Sequence, residues 1–135
     1  MFDTKVALIV RNDLAVWQKL NVVAFLATGV AAGTPEALGE PYEDAAGRQY
    51  SRMLGQPVMV FAADLSGLQA AHQQALSREL KIVPYVHAMF STGHDAANRD
   101  VFRAQDAENL DLVGLALHGP KKAVDKAIKG LALHA

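Results

Sequence analysis

Three features of this sequence predict an α/β fold, a three-layer α/β/α sandwich around a four-stranded mixed sheet. Val6-Ala-Leu-Ile-Val10 is an unbroken β-capable run, the pattern of a strand covered on both faces. It passes through the polar corner Arg11-Asn12-Asp13 into a long apolar run of helical spacing, and the segment after Pro57 repeats that strand-then-helix order. The chain has 135 residues, 51% of them hydrophobic, which suits one domain over 1–135 that buries roughly two thirds of its unfolded surface.

In chain order, Val6–Val10 is the first central strand, and Asp13 is placed to cap the helix that follows. In that helix Val16, Leu20, Val23 and Ala27 recur at helical spacing and form the expected sheet-facing side, with Trp17 and Asn21 one turn apart on an adjoining stripe. Residues 33–56, punctuated by Gly33, Pro35, Gly39 and Pro41, read as a long loop. Pro57–Ala63 is the second strand, and Asp64 caps a helix to about Leu80 that turns Leu68, Ala71, Ala75 and Leu76 inward.

Lys81–Phe90 is the third strand, and Pro84 places it at an edge or a bulge because proline cannot donate to the ladder. Ser91-Thr-Gly-His-Asp95 is a turn with Asp95 capping a short helix through Ala104, an insertion before the fourth strand, Leu110–Leu117. Gly119-Pro120 opens a last helix that turns Ala123, Val124, Ala127, Ile128 and Leu131 to the sheet.

Composition excludes several classes of function. Without cysteine there are no disulfides, no thiolate nucleophile and no cysteine-rich zinc site, and a cytoplasmic location is the simplest expectation. Met1–Lys5 lacks the pattern of a secretion signal, and Leu20–Leu38 is too interrupted for a membrane span. A net charge of −1 gives no general attraction for phosphate backbones, so nucleic acid is not an expected partner. Lys121, Lys122, Lys126 and Lys129 are read as a solvated helix face softened by Asp125. No phosphate-loop or dinucleotide fingerprint follows a strand, and no cofactor is expected.

Val6-Ala-Leu-Ile-Val-Arg-Asn-Asp-Leu14 and Leu112-Val-Gly-Leu-Ala-Leu-His-Gly-Pro120 resemble the first strand and turn, and the last strand and helix start, of the peptidyl-tRNA hydrolase 2 fold. Trp17 with Leu20-Asn-Val-Val-Ala-Phe-Leu26 is similar, within that group, to a bacterial family known as domain of unknown function 2000. The resemblance implies the fold and a place for a site. It does not imply the hydrolase reaction: Leu20 stands at that family's functional lysine, with Lys19 offset by one, and its aspartate falls near Ser91.

In open α/β sheets ligands bind beside the carboxyl ends of strands. The expected site therefore gathers Asn12, Trp17, Asn21, Ser91, Thr92 and His94. Trp17 would stack, Asn12 and Asn21 would supply polar recognition with Thr92 beside them, and His94 and Ser91 hold the proton-exchange and nucleophile roles of any catalysis. A hydroxyl-rich turn that caps the next helix is the plainer account of Ser91 and Thr92. His87, His94 and Asp95 lack the spacing of a metal site, and none is assigned. The function expected is a ligand-binding protein or an enzyme of unassigned specificity acting on a small molecule. The alternatives are a residual peptidyl-tRNA or aminoacyl-ester hydrolase, and a homo-oligomeric interaction module.

Overall fold

The structure is a computed structural model and describes residues 2–135. In order run β1 (Thr4–Arg11), α1 (Val16–Gly33), β2 (Val58–Ala63), α2 (Leu65–Ser77), β3 (Lys81–Val86), α3 (Asp95–Arg103), β4 (Leu112–Pro120), α4 (Lys121–Ala127) and β5 (Ala132–Leu133), with one-turn 3-10 segments at Pro35–Ala37 and His87–Ser91. One open mixed sheet has the order β3-β4-β1-β2-β5. β1 is parallel to β2 and antiparallel to β4, β3 is antiparallel to β4, and β5 is antiparallel to β2.

Alternation along the central strands builds a core on each face. Val6, Leu8 and Val10 point to one face and pack with Val22, Leu26 and Val30 of α1. Ala7 and Ile9 point to the other and pack with Leu68, Ala71 and Ala75 of α2 and Val124 and Ala127 of α4. Glycine sets how close α1 comes. A Cβ on Gly114 of β4 would lie 2.3 Å from Val22 Cγ1, and one on Gly29 of α1 would lie 2.6 Å from Val83 Cγ1.

The sheet has five strands where the sequence suggested four. α4 stops at Ala127, Gly130 turns the chain at φ +88°, and Ala132 and Leu133 pair with Ala62 and Phe61, so Leu131 packs from a turn rather than from a helix. Pro120 closes β4 and occupies the N-cap position of α4. Residues 33–56 fold back on themselves through the Leu38–Leu54 and Glu43–Gln49 bridges, with Asp44 accepting from the Ala46 and Arg48 amides.

Two caps also differ from expectation. Asp13 is drawn away from α1 by Arg11, whose guanidinium also holds Asp111 and the Leu112 carbonyl, and Gln18 accepts from the Ala15 amide instead. At α3 the cap is His94, whose Nδ1 accepts from the Ala97 amide at 3.2 Å, while Asp95 enters the first turn and pairs with Arg99 at 2.5 Å. Asp64 caps α2 as expected, accepting from Gly67 at 2.8 Å. Pro84 lies on the edge strand β3, which ends at Val86, so His87 is an exposed residue of the following 3-10 turn. Among the described residues no helix is long and apolar enough to cross a membrane.

Candidate functional site

Because β1 and β3 both run antiparallel to β4, they are parallel to one another, and their carboxyl ends share one end of the sheet. α1 leaves from the exit of β1 and the His87–Ser91 turn from the exit of β3. This topology brings Trp17 and Asn21 of α1 against Thr92 and His94, across a cleft of about 310 Å³ floored by Tyr85 and Phe90. Trp17 meets Phe90 edge to face with ring centroids 5.9 Å apart, and Tyr85 packs on both Phe90 and Phe25.

The sequence-selected residues divide at this point. Trp17, Asn21, Thr92 and His94 line the cleft. Asn12 and Ser91 are exposed outside its walls: the Asn12 amide is tied to the Ala63 carbonyl at 2.9 Å on the β2 side of the sheet, and Ser91 closes the 3-10 turn.

The hydrogen bonds favour recognition over proton transfer. His94 Nδ1 is engaged by the Ala97 amide, so a neutral ring carries its proton on Nε2 and offers a donor. Thr92 Oγ1 donates to the Met89 carbonyl at 3.0 Å and also meets the Asn98 amide group. Its one proton is then spent, and Asn98 is best turned with its NH2 toward Thr92.

The cleft opens, through Phe25, Tyr85 and Met89, into a groove of about 850 Å³ along the free edge of β3. α1 forms one wall, His72 and Leu76 of α2 another, and Arg99, Phe102 and Arg103 of α3 the third. Leu76, expected in the core, is half exposed on this wall. α3 has no buried residue and packs mainly on the 3-10 turn, which leaves room between it and the sheet. Burial lowers the His72 pKa and raises that of Tyr85, so near neutral pH the groove holds an uncharged imidazole and a protonated phenol. Among the described residues no cluster of three or more His, Cys, Asp or Glu could hold a metal ion.

Sequence reasoning missed Phe25, Tyr85, Phe90 and Asn98, and with them the groove. One signal was available: Asp95, Asn98, Arg99, Phe102 and Arg103 fall on one face of a helix by spacing alone, and that face lines the groove.

A family model described as "Protein of unknown function (DUF2000)" matches residues 4–135. A solved structure of a protein of unknown function from Agrobacterium tumefaciens is 51% identical, with a TM-score of 0.96 and 100% of each chain covered. No curated protein matches.

Proposed function

We propose that this chain, which belongs to the DUF2000 family, binds a small, flat, largely apolar molecule in the cleft between α1 and the His87–Ser91 turn. The observation that carries this reading is the continuity of an aromatic, amide-bearing cleft with a larger apolar groove. Cavities of a few hundred to about a thousand Å³, mostly apolar with a few placed polar groups, are the usual form of small-molecule sites. In this reading the exposed indole of Trp17 stacks on one face of the ligand, Asn21 reads its polar edge, and His94 donates from Nε2. The scaffold is read as one peptidyl-tRNA hydrolase 2-like domain on the strength of the β1 and β4 sequence matches, and a cytoplasmic location is read from the absence of cysteine. Catalysis by His94 and Ser91 is not part of the proposal, since Ser91 lies outside the cleft walls and His94 Nδ1 is committed to α3.

Trp17 is the only tryptophan, so selectively excited tryptophan emission reports on this site. Small molecules carried through purification would be extracted, identified by mass spectrometry and returned to ligand-free protein. Quenching or a blue shift is expected, with affinity about tenfold weaker in Asn21→Ala. Binding that leaves Trp17 emission unchanged and is indifferent to Asn21→Ala would sink the reading.

A further inference from the structure

The groove beside the cleft runs along β3, an edge strand of the sheet, and a groove on a strand edge has two natural occupants, an added peptide strand or a small molecule. β3 is built against the first. The His87 N–H turns inward to the Asp111 carbonyl, so by alternation Ile82, Pro84 and Val86 turn their backbone groups outward. Pro84 has no N–H to give, and the Val86 N–H is spent on Met89 Sδ at 3.3 Å. Ile82 is left as the one outward donor, too few for a ladder.

The walls select an apolar, uncharged occupant. Phe25 of α1, Leu76 of α2, Val83 of β3 and Phe102 of α3 face the groove from every side. Its charged groups offer no net attraction for an ion: Arg99 already holds Asp95, and Arg103 is offset in sign by Glu108 on the same lining. Asn98 is the last α3 residue shared with the cleft, and Arg103 stands roughly 7.5 Å of helix rise beyond it. The stretch between is long enough for a hydrocarbon chain that enters from the cleft.

Where cleft and groove meet stands Tyr85, only 7% exposed and lining both. Its hydroxyl has no hydrogen-bond partner among the described residues, and burial keeps it protonated, a donor at neutral pH. Nor is it sealed in the core: among the described residues His118 Nε2 is the one side-chain polar atom both unpaired and out of reach of solvent. The Tyr85 hydroxyl therefore opens on the space it lines, and a nearly buried donor calls for an acceptor there. A carbonyl fits, with two acceptor sites and no donor of its own to satisfy in an apolar groove. We propose that the molecule bound here is uncharged and joins a flat ring to a hydrocarbon chain through a carbonyl: the ring lies on Trp17, the carbonyl accepts from Tyr85, and the chain fills the groove. The inference rests on the reading of the cleft as a ring site and adds the carbonyl and the chain to it.

Three probes separate the parts: acetophenone (ring and carbonyl), hexanophenone (ring, carbonyl and chain) and pentylbenzene (ring and chain). Binding is read by calorimetry and by the single indole N–H resonance of Trp17. Hexanophenone is expected to bind at least about tenfold more tightly than acetophenone, against a ceiling of about fourfold per buried methylene. Leu76→Glu, at a half-exposed wall position, should remove most of that gain and leave acetophenone unchanged. Tyr85→Phe should weaken hexanophenone about five- to tenfold and pentylbenzene not at all, with urea unfolding as in wild type because the hydroxyl has no partner in the chain to lose. If acetophenone shifts the Trp17 resonance but the chain adds nothing, or its gain survives Leu76→Glu, the inference falls while the ring site stands. If neither ketone moves that resonance, both fall. A Tyr85→Phe loss that is absent, or equal for ketone and hydrocarbon, overturns the carbonyl contact. A wild-type dimer that Leu76→Glu dissolves would give the groove to a second copy and overturn the proposal as well.

Discussion

The two faces of the sheet are covered by helices that do the same work inward and opposite work outward. Against α1 the sheet buries Val6, Leu8 and Val10, and against α2 and α4 it buries Ala7 and Ile9, each out of reach of water or nearly so. Outward, α2 and α4 present Gln73, Gln74, Lys121, Lys122 and Lys126, whereas α1 presents Val16, Trp17, Leu20 and Phe25. A helix's outer surface is free to be polar when nothing else touches it, and one face is finished that way. The other is not, and the cleft belongs to it.

The sharpest way to break this comparison is to ask which side of α1 carries the fold. Leu26 is fully buried, and Leu26→Ala is expected to cost about 2–5 kcal/mol in urea unfolding, as truncation of a core leucine does. Leu20→Ala should change stability by under about 0.5 kcal/mol. Equal losses would mean that the outer side of α1 is also packed within one chain.

That test bears on what was legible in the sequence. Both βα units, the edge position of Pro84 and the strand β4 followed from runs and breakers, because β1 and β4 are apolar on both faces and no other structure suits such runs. The phase of α1 did not follow: Val16, Leu20, Val23 and Ala27 were expected inward, but Val22, Leu26 and Val30 are buried. Periodicity selects a face only when the opposite face is polar, and here it is not. The cleft's Trp17, Asn21, Thr92 and His94 could be placed together because strand direction delivers both turns to one end of the sheet. Phe90 escaped because a strand was read through a 3-10 turn, Tyr85 because a strand residue's face cannot be set in a run that is apolar on both sides, and β5 because two residues make no pattern.

A smaller loss tests how α1 is seated. Gly114→Ala would put a methyl 2.3 Å from Val22 Cγ1, so Val22 or the helix must shift. The expected cost is about 1–3 kcal/mol. Gly33→Ala, at a position with open space, should lie within about 0.5 kcal/mol of wild type. If Gly114→Ala is silent, α1 sits less tightly on β4 than the comparison requires.

Acid should weaken both faces by the same mechanism. His118, beneath the end of α1, has its pKa lowered by burial and by Lys81, with Glu36 opposing, and His72 on α2 is lowered by burial. A folded state that resists protonation loses stability as pH falls from the ordinary histidine value toward the group's own lower one, since only the unfolded chain takes up the proton. The midpoint of thermal unfolding is therefore expected to fall between about pH 7 and pH 5.5, above the window where carboxylates contribute. His118→Phe should flatten that slope and His72→Gln should remove part of the rest. Slopes identical to wild type in both variants would exclude these histidines.

The smallest effect is expected on the polar face. Asp125, which on sequence grounds seemed to offset the α4 lysines, is instead held by Lys5 of β1 at 2.6 Å, and that partly exposed pair is worth at most about 1 kcal/mol. Lys121 and Lys122 are thus left to solvent, charged but without an aromatic platform or cleft beside them in the sequence of α4. Replacing both by alanine should shift stability by less than about 0.5 kcal/mol and leave tRNA retention on a filter at physiological salt at background. The comparison inverts if wild-type protein holds tRNA there and the double alanine variant releases it with a shallower salt dependence. The polar face would then be the working surface, in place of the apolar outer side of α1.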